Sequence, residues 1–215
     1  CAQPCRWMYE LRERGRNGAY FGIEQDALGT YILNARDMNL IEHLPAVIET
    51  GACSLKIEGR MKSIAYVATV VNAYRMALDR YSAAPDEPLP AELSKELDYA
   101  SHRPYTAGFA FGDPGAAGQA PQSADYVSEA QISAVVLSYD AQAQTAYVEQ
   151  RNRFADGDVL SILSPGDIAR TFTVRSIHNE AGETQQTAPH PKQRLHIGCI
   201  EPVQAGDILR KISGC

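Results

Sequence analysis

The residue types best suited to chemistry fall in two short segments. Cys1 and Cys5 are separated by three residues that include Pro4, which makes a constrained loop. Two thiolates on such a loop can face one metal ion or cluster from the same side. A soft-metal centre takes about four ligands, so the pair is either half of a site or two unpaired thiols or a dithiol. The second segment is Ser54-Leu55-Lys56-Ile57-Glu58-Gly59-Arg60-Met61-Lys62-Ser63. Strand alternation would send Leu55 and Ile57 to one face and Lys56 and Glu58 to the other. An acid and three cations then converge where the chain enters a helix whose backbone N–H groups point at the same spot. That combination suits a phosphate or a carboxylate. Lys56, Glu58 and Arg60 are the candidate catalytic residues, with Lys62 and Ser63 as substrate contacts. The plain alternative is a Lys56–Glu58 pair satisfying itself beside a solvated Arg60. Arg36 is placed to be a second anion contact, and Asp37 to cap the next helix. His43 reads as a surface residue, and His102 beside Arg103 belongs to a loop that could fold back toward the cations.

The elements that would position these residues follow from periodicity. Residues 1–27 read as a hairpin, Arg6–Leu11 and Ala19–Gln25 flanking Gly15-Arg16-Asn17-Gly18. Thr30–Ala35 reads as a strand. Leu40, Ile41, Leu44, Val47 and Ile48 follow at helical spacing and stop at Gly51. Ser54–Glu58 reads as a second strand. Ser63 caps a long helix through Tyr81, with Val67, Val70, Val71, Tyr74 and Leu78 as its apolar stripe. Strand, helix, strand, helix in this span predicts parallel strands joined by right-handed crossovers. Two such units cannot close a (β/α)8 barrel of about 250 residues, so residues 1–81 are expected to be the C-terminal part of one. Residues 82–125 form a linker and bridging segment, Pro-rich at first. Residues 126–215 carry short β runs at 132–138, 144–150, 159–163, 170–177, 194–198 and 207–212, spaced as in a small barrel. Gly157-Asp158-Val159-Leu160 is echoed by Gly206-Asp207-Ile208-Leu209, a weak internal similarity read as structural. The fold class is thus α/β plus all-β.

Composition narrows the functional classes. The chain has 215 residues, 45% hydrophobic and 21% charged, which excludes wholesale disorder. No apolar run reaches the roughly 18 residues of a membrane span, and neither a signal peptide nor an initiator Met is present, so the chain reads as an excised fragment. A net charge of −6 gives no bulk attraction to nucleic acid. Arg6, Arg12, Arg14 and Arg16 form a local cluster, or simply a solvated hairpin face. Five cysteines without a secretory signal argue against a disulfide framework. Cys53 and Cys199 read as small buried hydrophobes, and Cys215 as exposed. His-Glu-x-x-His, Gly-x-Ser-x-Gly, Walker and Gly-x-Gly-x-x-Gly patterns are all absent from the sequence.

Several stretches then carry a resemblance. They are Cys-Ala-Gln-Pro-Cys-Arg-Trp at 1–7, Asn-Ala-Arg-Asp at 34–37 and the decapeptide 54–63. Further along come Tyr-Val-Ala-Thr-Val-Val-Asn-Ala-Tyr-Arg at 66–75, Ser-His-Arg-Pro-Tyr at 101–105, and Asn-Arg-Phe with Gly-Asp at 152–158. Together they resemble the collagenase-like peptidase family U32, best in its tRNA hydroxylation branch. The resemblance implies a TIM-like (β/α)8 barrel followed by a small translation-factor-like β-barrel, in a cytoplasmic protein. It implies 5-hydroxylation of the wobble uridine of tRNA, with prephenate as the small anionic co-substrate. It also implies a 4Fe-4S cluster held by four cysteines, two of them matching Cys1 and Cys5 and two upstream. The family's other activity is protein hydrolysis. A third expectation is that the C-terminal barrel is a docking module for RNA or protein without chemistry of its own.

Overall fold

The computed structural model describes residues 24–26, 29–31, 35–120, 127–168 and 170–212. Cys1, Cys5, Cys215, the four-arginine cluster and the expected turn at 15–18 lie outside the described residues. The chain divides into two compact units, residues 1–51 with 101–127 and residues 52–100 with 128–215.

In the first unit β1 (Glu24–Asp26) pairs antiparallel with β2 (Gly29–Tyr31). β3 (Asp37–Met38) lies parallel to β4 (Tyr105–Thr106). The Asp37 N–H donates to the Pro104 carbonyl at 3.2 Å and the Asn39 N–H to the Thr106 carbonyl at 2.9 Å. A parallel pair is therefore present, but β3 takes its partner from residues 105–106 and not from 54–58. α1 (Leu44–Glu49) follows a 3-10 turn, Ile41–His43. Pro45 sits in its first turn, where a missing N–H costs nothing. Ile41 and Leu44 are buried, and Gly51 ends the segment as expected. Asp37 does not cap it. Asp37 is spent in the strand, and Asn39 Oδ1 accepts from the Ile41 N–H at 3.0 Å instead.

The second unit opens with an exposed, irregular stretch. Ser54–Glu58 forms no strand, because no neighbouring segment among the described residues offers it a ladder. α2 (Ile64–Ala83) begins where expected, the Ser63 hydroxyl oxygen accepting from the Tyr66 N–H at 3.2 Å. Its buried face is Thr69, Val70, Ala73 and Ala77, whereas Val67 and Val71 of the expected stripe are exposed. The expected linker contains α3 (Ala91–Glu96), started by Pro90 and running into a 3-10 turn at Leu97–Tyr99. Leu93 and Leu97, four residues apart, give it a buried side.

The remainder is β structure: β5 (Ala130–Asp140), β6 (Thr145–Gln150), β7 (Phe154–Ala155), β8 (Val159–Leu163), β9 (Arg170–Thr173), β10 (Arg175–Asn179), β11 (Thr184–Gln185), β12 (Thr187–Ala188), β13 (Arg194–Gly198) and β14 (Ile208–Ile212). Eight of these form one curled antiparallel sheet in the order β11-β10-β13-β6-β5-β14-β8-β9, and β12 pairs with β7. The expected run 170–177 is two strands. Val174 leaves the ladder to exchange backbone bonds with Gly157 (3.0 Å) and Asp158 (2.8 Å). Val148, Phe154, Leu160, Phe172, Ile197 and Leu209 fill the core. β5 shifts register against both β6 and β14, which bends it and lets the sheet curl.

Candidate functional site

The decapeptide is built around the start of α2. Glu58 Oε1 accepts from the Arg60 N–H at 2.9 Å, and the Lys62 N–H donates to the Gly59 carbonyl at 2.9 Å. This tight turn delivers the chain to Ser63. The Lys62 ammonium stands 4.8 Å from the centre of the Tyr66 ring, within range of a cation–π contact. The structure thus gathers Glu58, Arg60, Lys62 and Ser63 over one turn. Lys56 lies before this turn, on the irregular stretch. Lys56, Glu58 and Arg60 are all exposed; the two-faced strand with apolar residues inside does not form, and Leu55 and Ile57 are exposed as well. Ser63 serves as the helix cap.

The Arg36 segment is fixed within the first unit. The Arg36 N–H donates to the Gly118 carbonyl at 3.0 Å and its Nε to the Gln119 carbonyl at 3.2 Å. The Ser-His-Arg-Pro-Tyr loop folds back onto this segment. Arg103, almost wholly buried, donates from Nη1 to the Ala35 carbonyl at 3.0 Å, and its N–H donates to Asp37 Oδ2 at 3.1 Å. His102 stacks on Tyr105 with ring centroids 4.0 Å apart. Its Nδ1 lies 2.6 Å from the Arg103 carbonyl, so that nitrogen carries the proton. His43 is half-buried and meets Phe111 edge-on at 4.7 Å, rather than standing free on the surface.

One cluster has no counterpart in the sequence reading. Arg210 of β14 is 2% exposed, with its Nη2 3.1 Å from Glu96 Oε2 of α3. Thr69 Oγ1 and Ser161 Oγ each lie 3.3 Å from the same guanidinium, and the Tyr99 ring 5.1 Å away. This cluster fastens α2 and α3 to the outer face of β8 and β14. Only the Glu96–Leu97 end of a short helix and one arginine in a strand could have signalled it.

The thiols sort clearly. Cys53 is exposed, contrary to expectation, because the strand that would have buried it is not formed. Cys199 is buried as expected. Burial pushes its thiol up to about 11, which keeps it protonated at neutral pH. Among the described residues no group of three or more His, Cys, Asp or Glu side chains could hold a metal ion.

The described residues form a curled, all-β antiparallel sheet accompanied by few helices, and a second small unit holds a parallel strand pair. The chain belongs to peptidase family U32. The profile of that family matches residues 1–120, and the profile of its C-terminal domain matches residues 128–210. The chain is similar to tRNA hydroxylation protein P1 of Bacillus subtilis, 36% identical over 98% of this chain and 50% of the relative. It is also similar to tRNA hydroxylation protein P of Escherichia coli, 33% identical over 86% of this chain and 40% of the relative. Other relatives carry protease or collagenase names. A solved C-terminal domain of a candidate U32 peptidase from Geobacillus thermoleovorans is 30% identical, covering 38% of this chain and 99% of that domain with a TM-score of 0.36. The chain spans about half the length of the curated relatives it matches. Among the described residues no helix is long and apolar enough to cross a membrane.

Proposed function

We propose that this chain is part of an RNA-modifying protein that acts on tRNA in the cytoplasm, hydroxylating the wobble uridine at C5 with prephenate as co-substrate. The observation that carries the reading is 36% identity, over 98% of the chain, to a protein named for tRNA hydroxylation. In this reading Lys56 and Arg60, with Glu58, form the anion-binding catalytic group, and Arg36, Lys62 and Ser63 contact substrate. The exposure of Lys56 and Arg60 supports it, since a dicarboxylate or an RNA phosphate can reach both. Cys1 and Cys5 would hold a 4Fe-4S cluster together with two cysteines from elsewhere in the protein. Such a cluster supplies one-electron redox chemistry when bound.

The same reading makes residues 1–81 the C-terminal part of a (β/α)8 barrel, residues 82–125 its linker and residues 126–215 a small translation-factor-like barrel. Two features support the barrel. Ser54–Glu58, read as a strand, is unpaired among the described residues, as a strand awaiting neighbours would be. The α2 face carrying Ile64, 84% exposed, with Val67 and Val71, is apolar and uncovered.

The family's description as a peptidase favours a second reading, protein hydrolysis. It requires an activated nucleophile or a metal-bound water, and among the described residues no group of three or more His, Cys, Asp or Glu side chains could hold a metal ion. One experiment separates the two. Lys56→Ala and Arg60→Ala in the whole protein should abolish tRNA hydroxylation, read by mass spectrometry of tRNA nucleosides, while tRNA binding persists. Unchanged modification would overturn the catalytic assignment. Peptide cleavage by the unsubstituted protein that disappears in the same variants would install the peptidase.

A further inference from the structure

We propose that Phe109 and Phe111, together with Arg36, form a contact surface for the unpaired bases of an RNA loop. The inference rests on the tRNA reading and names where that RNA would be held. Both rings project from a turn, Ala107-Gly108-Phe109-Ala110-Phe111-Gly112. The Ala110 N–H donates to the Ala107 carbonyl and the Gly112 N–H to the Phe109 carbonyl, each at 3.3 Å. Phe109 is 76% and Phe111 64% exposed. Two large rings in one turn, both turned to water, form an apolar surface of the kind that marks an interaction site.

The surroundings point to nucleic acid. The turn begins against β3, where the Met38 side chain, itself exposed, lies over the Gly108 backbone. Arg36 and Met38 are two residues apart in extended chain and so share a face. Only Nε of Arg36 is engaged, by the Gln119 carbonyl. Among the described residues its guanidinium has no carboxylate partner, so the charge is available to a phosphate. His43 meets Phe111 edge-on, with ring centroids 4.7 Å apart, and adds no negative charge. Aromatic faces beside an unneutralised cation are what single-stranded nucleic acid uses: bases stack on the rings and the backbone is held by the charge. A duplex, its bases already stacked, gains nothing from the rings.

The test is fluorescence anisotropy with the whole protein and two probes, an RNA hairpin carrying a uridine in its single-stranded loop and a blunt RNA duplex. Phe109→Ala and Phe111→Ala should each weaken hairpin binding at least about fivefold and leave duplex binding unchanged. Arg36→Gln should weaken hairpin binding and flatten its salt dependence. Hairpin affinity unchanged in both phenylalanine variants, with the unsubstituted protein binding, overturns the proposal and leaves the tRNA reading standing. If those variants instead lose thermal stability or change sedimentation without losing affinity, the rings contact protein and the proposal also fails. An unsubstituted protein that binds neither probe overturns this proposal and the tRNA reading together.

Discussion

Arg210 shows what a single residue can hide. In the strand Ile208-Leu209-Arg210-Lys211-Ile212, alternation places Leu209 in the core and Arg210 on the opposite face, which period two alone reads as solvent. That face is covered, because α2 and α3 lie over it, and the arginine's carboxylate partner is 114 positions away in the sequence. No local pattern reports such a pairing. Buried, the two charges are costly to separate, since removing one strands the other in a dry site. Glu96→Gln should therefore destabilise the protein by about 3–5 kcal/mol in chemical denaturation. Glu96→Leu combined with Arg210→Met should recover most of that loss. If Glu96→Gln costs less than about 1 kcal/mol, the pair does not fasten the helices to the sheet.

At the scale of elements, what the sequence makes legible is whatever closes locally. The echo of Gly157-Asp158 in Gly206-Asp207 is a repeated turn. In each copy the aspartate Oδ2 accepts at 2.9 Å from the N–H three residues earlier, Ala155 or Gln204. The other oxygen anchors the turn, to the Lys211 ammonium at 2.7 Å in the first copy and to the Ser164 hydroxyl in the second. Burial by itself would raise the Asp158 carboxyl, but Lys211 and the Ala155 N–H hold it below its ordinary range. The glycines are required by their backbones, with φ of +86° and +97°. A Cβ at Gly206 would meet no atom within 4 Å. Gly206→Ala should therefore cost only backbone strain, about 1–2 kcal/mol, read as a Tm lower by several degrees. An unchanged Tm would show that the turn tolerates a side chain. The six β runs were legible for the same reason, because short alternating segments end at such turns. Ser54–Glu58 has strand composition too, but a strand exists only with a partner, and no partner lies among the described residues. α1 and α2 announced themselves by spacing and caps. α3 was masked by the prolines around it, one of which starts the helix rather than preventing it.

At the scale of the whole molecule, the candidate chemistry is divided: Arg36 belongs to the first unit, and residues 54–63 belong to the second, as the curled sheet does. The curled sheet has its own core and its own fastening to α2 and α3. Lys56, Arg60 and Arg36 are exposed and Lys62 is half-buried, and the cysteines proposed as ligands, Cys1 and Cys5, lie outside the described residues. Spacing marks that pair as candidate ligands of a soft-metal site, or as two thiols without one, and names no other ligand. Among the described residues neither Cys53 nor Cys199 belongs to a group of three or more side chains that could hold a metal ion. The cluster proposal therefore makes a selective prediction. The whole protein, purified without oxygen, should be brown and contain iron. Cys1→Ala and Cys5→Ala should each bleach it and lower its iron content, whereas Cys53→Ala and Cys199→Ala should leave colour and iron unchanged. Loss of iron in the Cys53 variant would place that thiol in the ligand set. A colourless, iron-free protein under the same conditions would remove the redox reading and return peptide hydrolysis to first place, because hydroxylation would then lack its electron carrier.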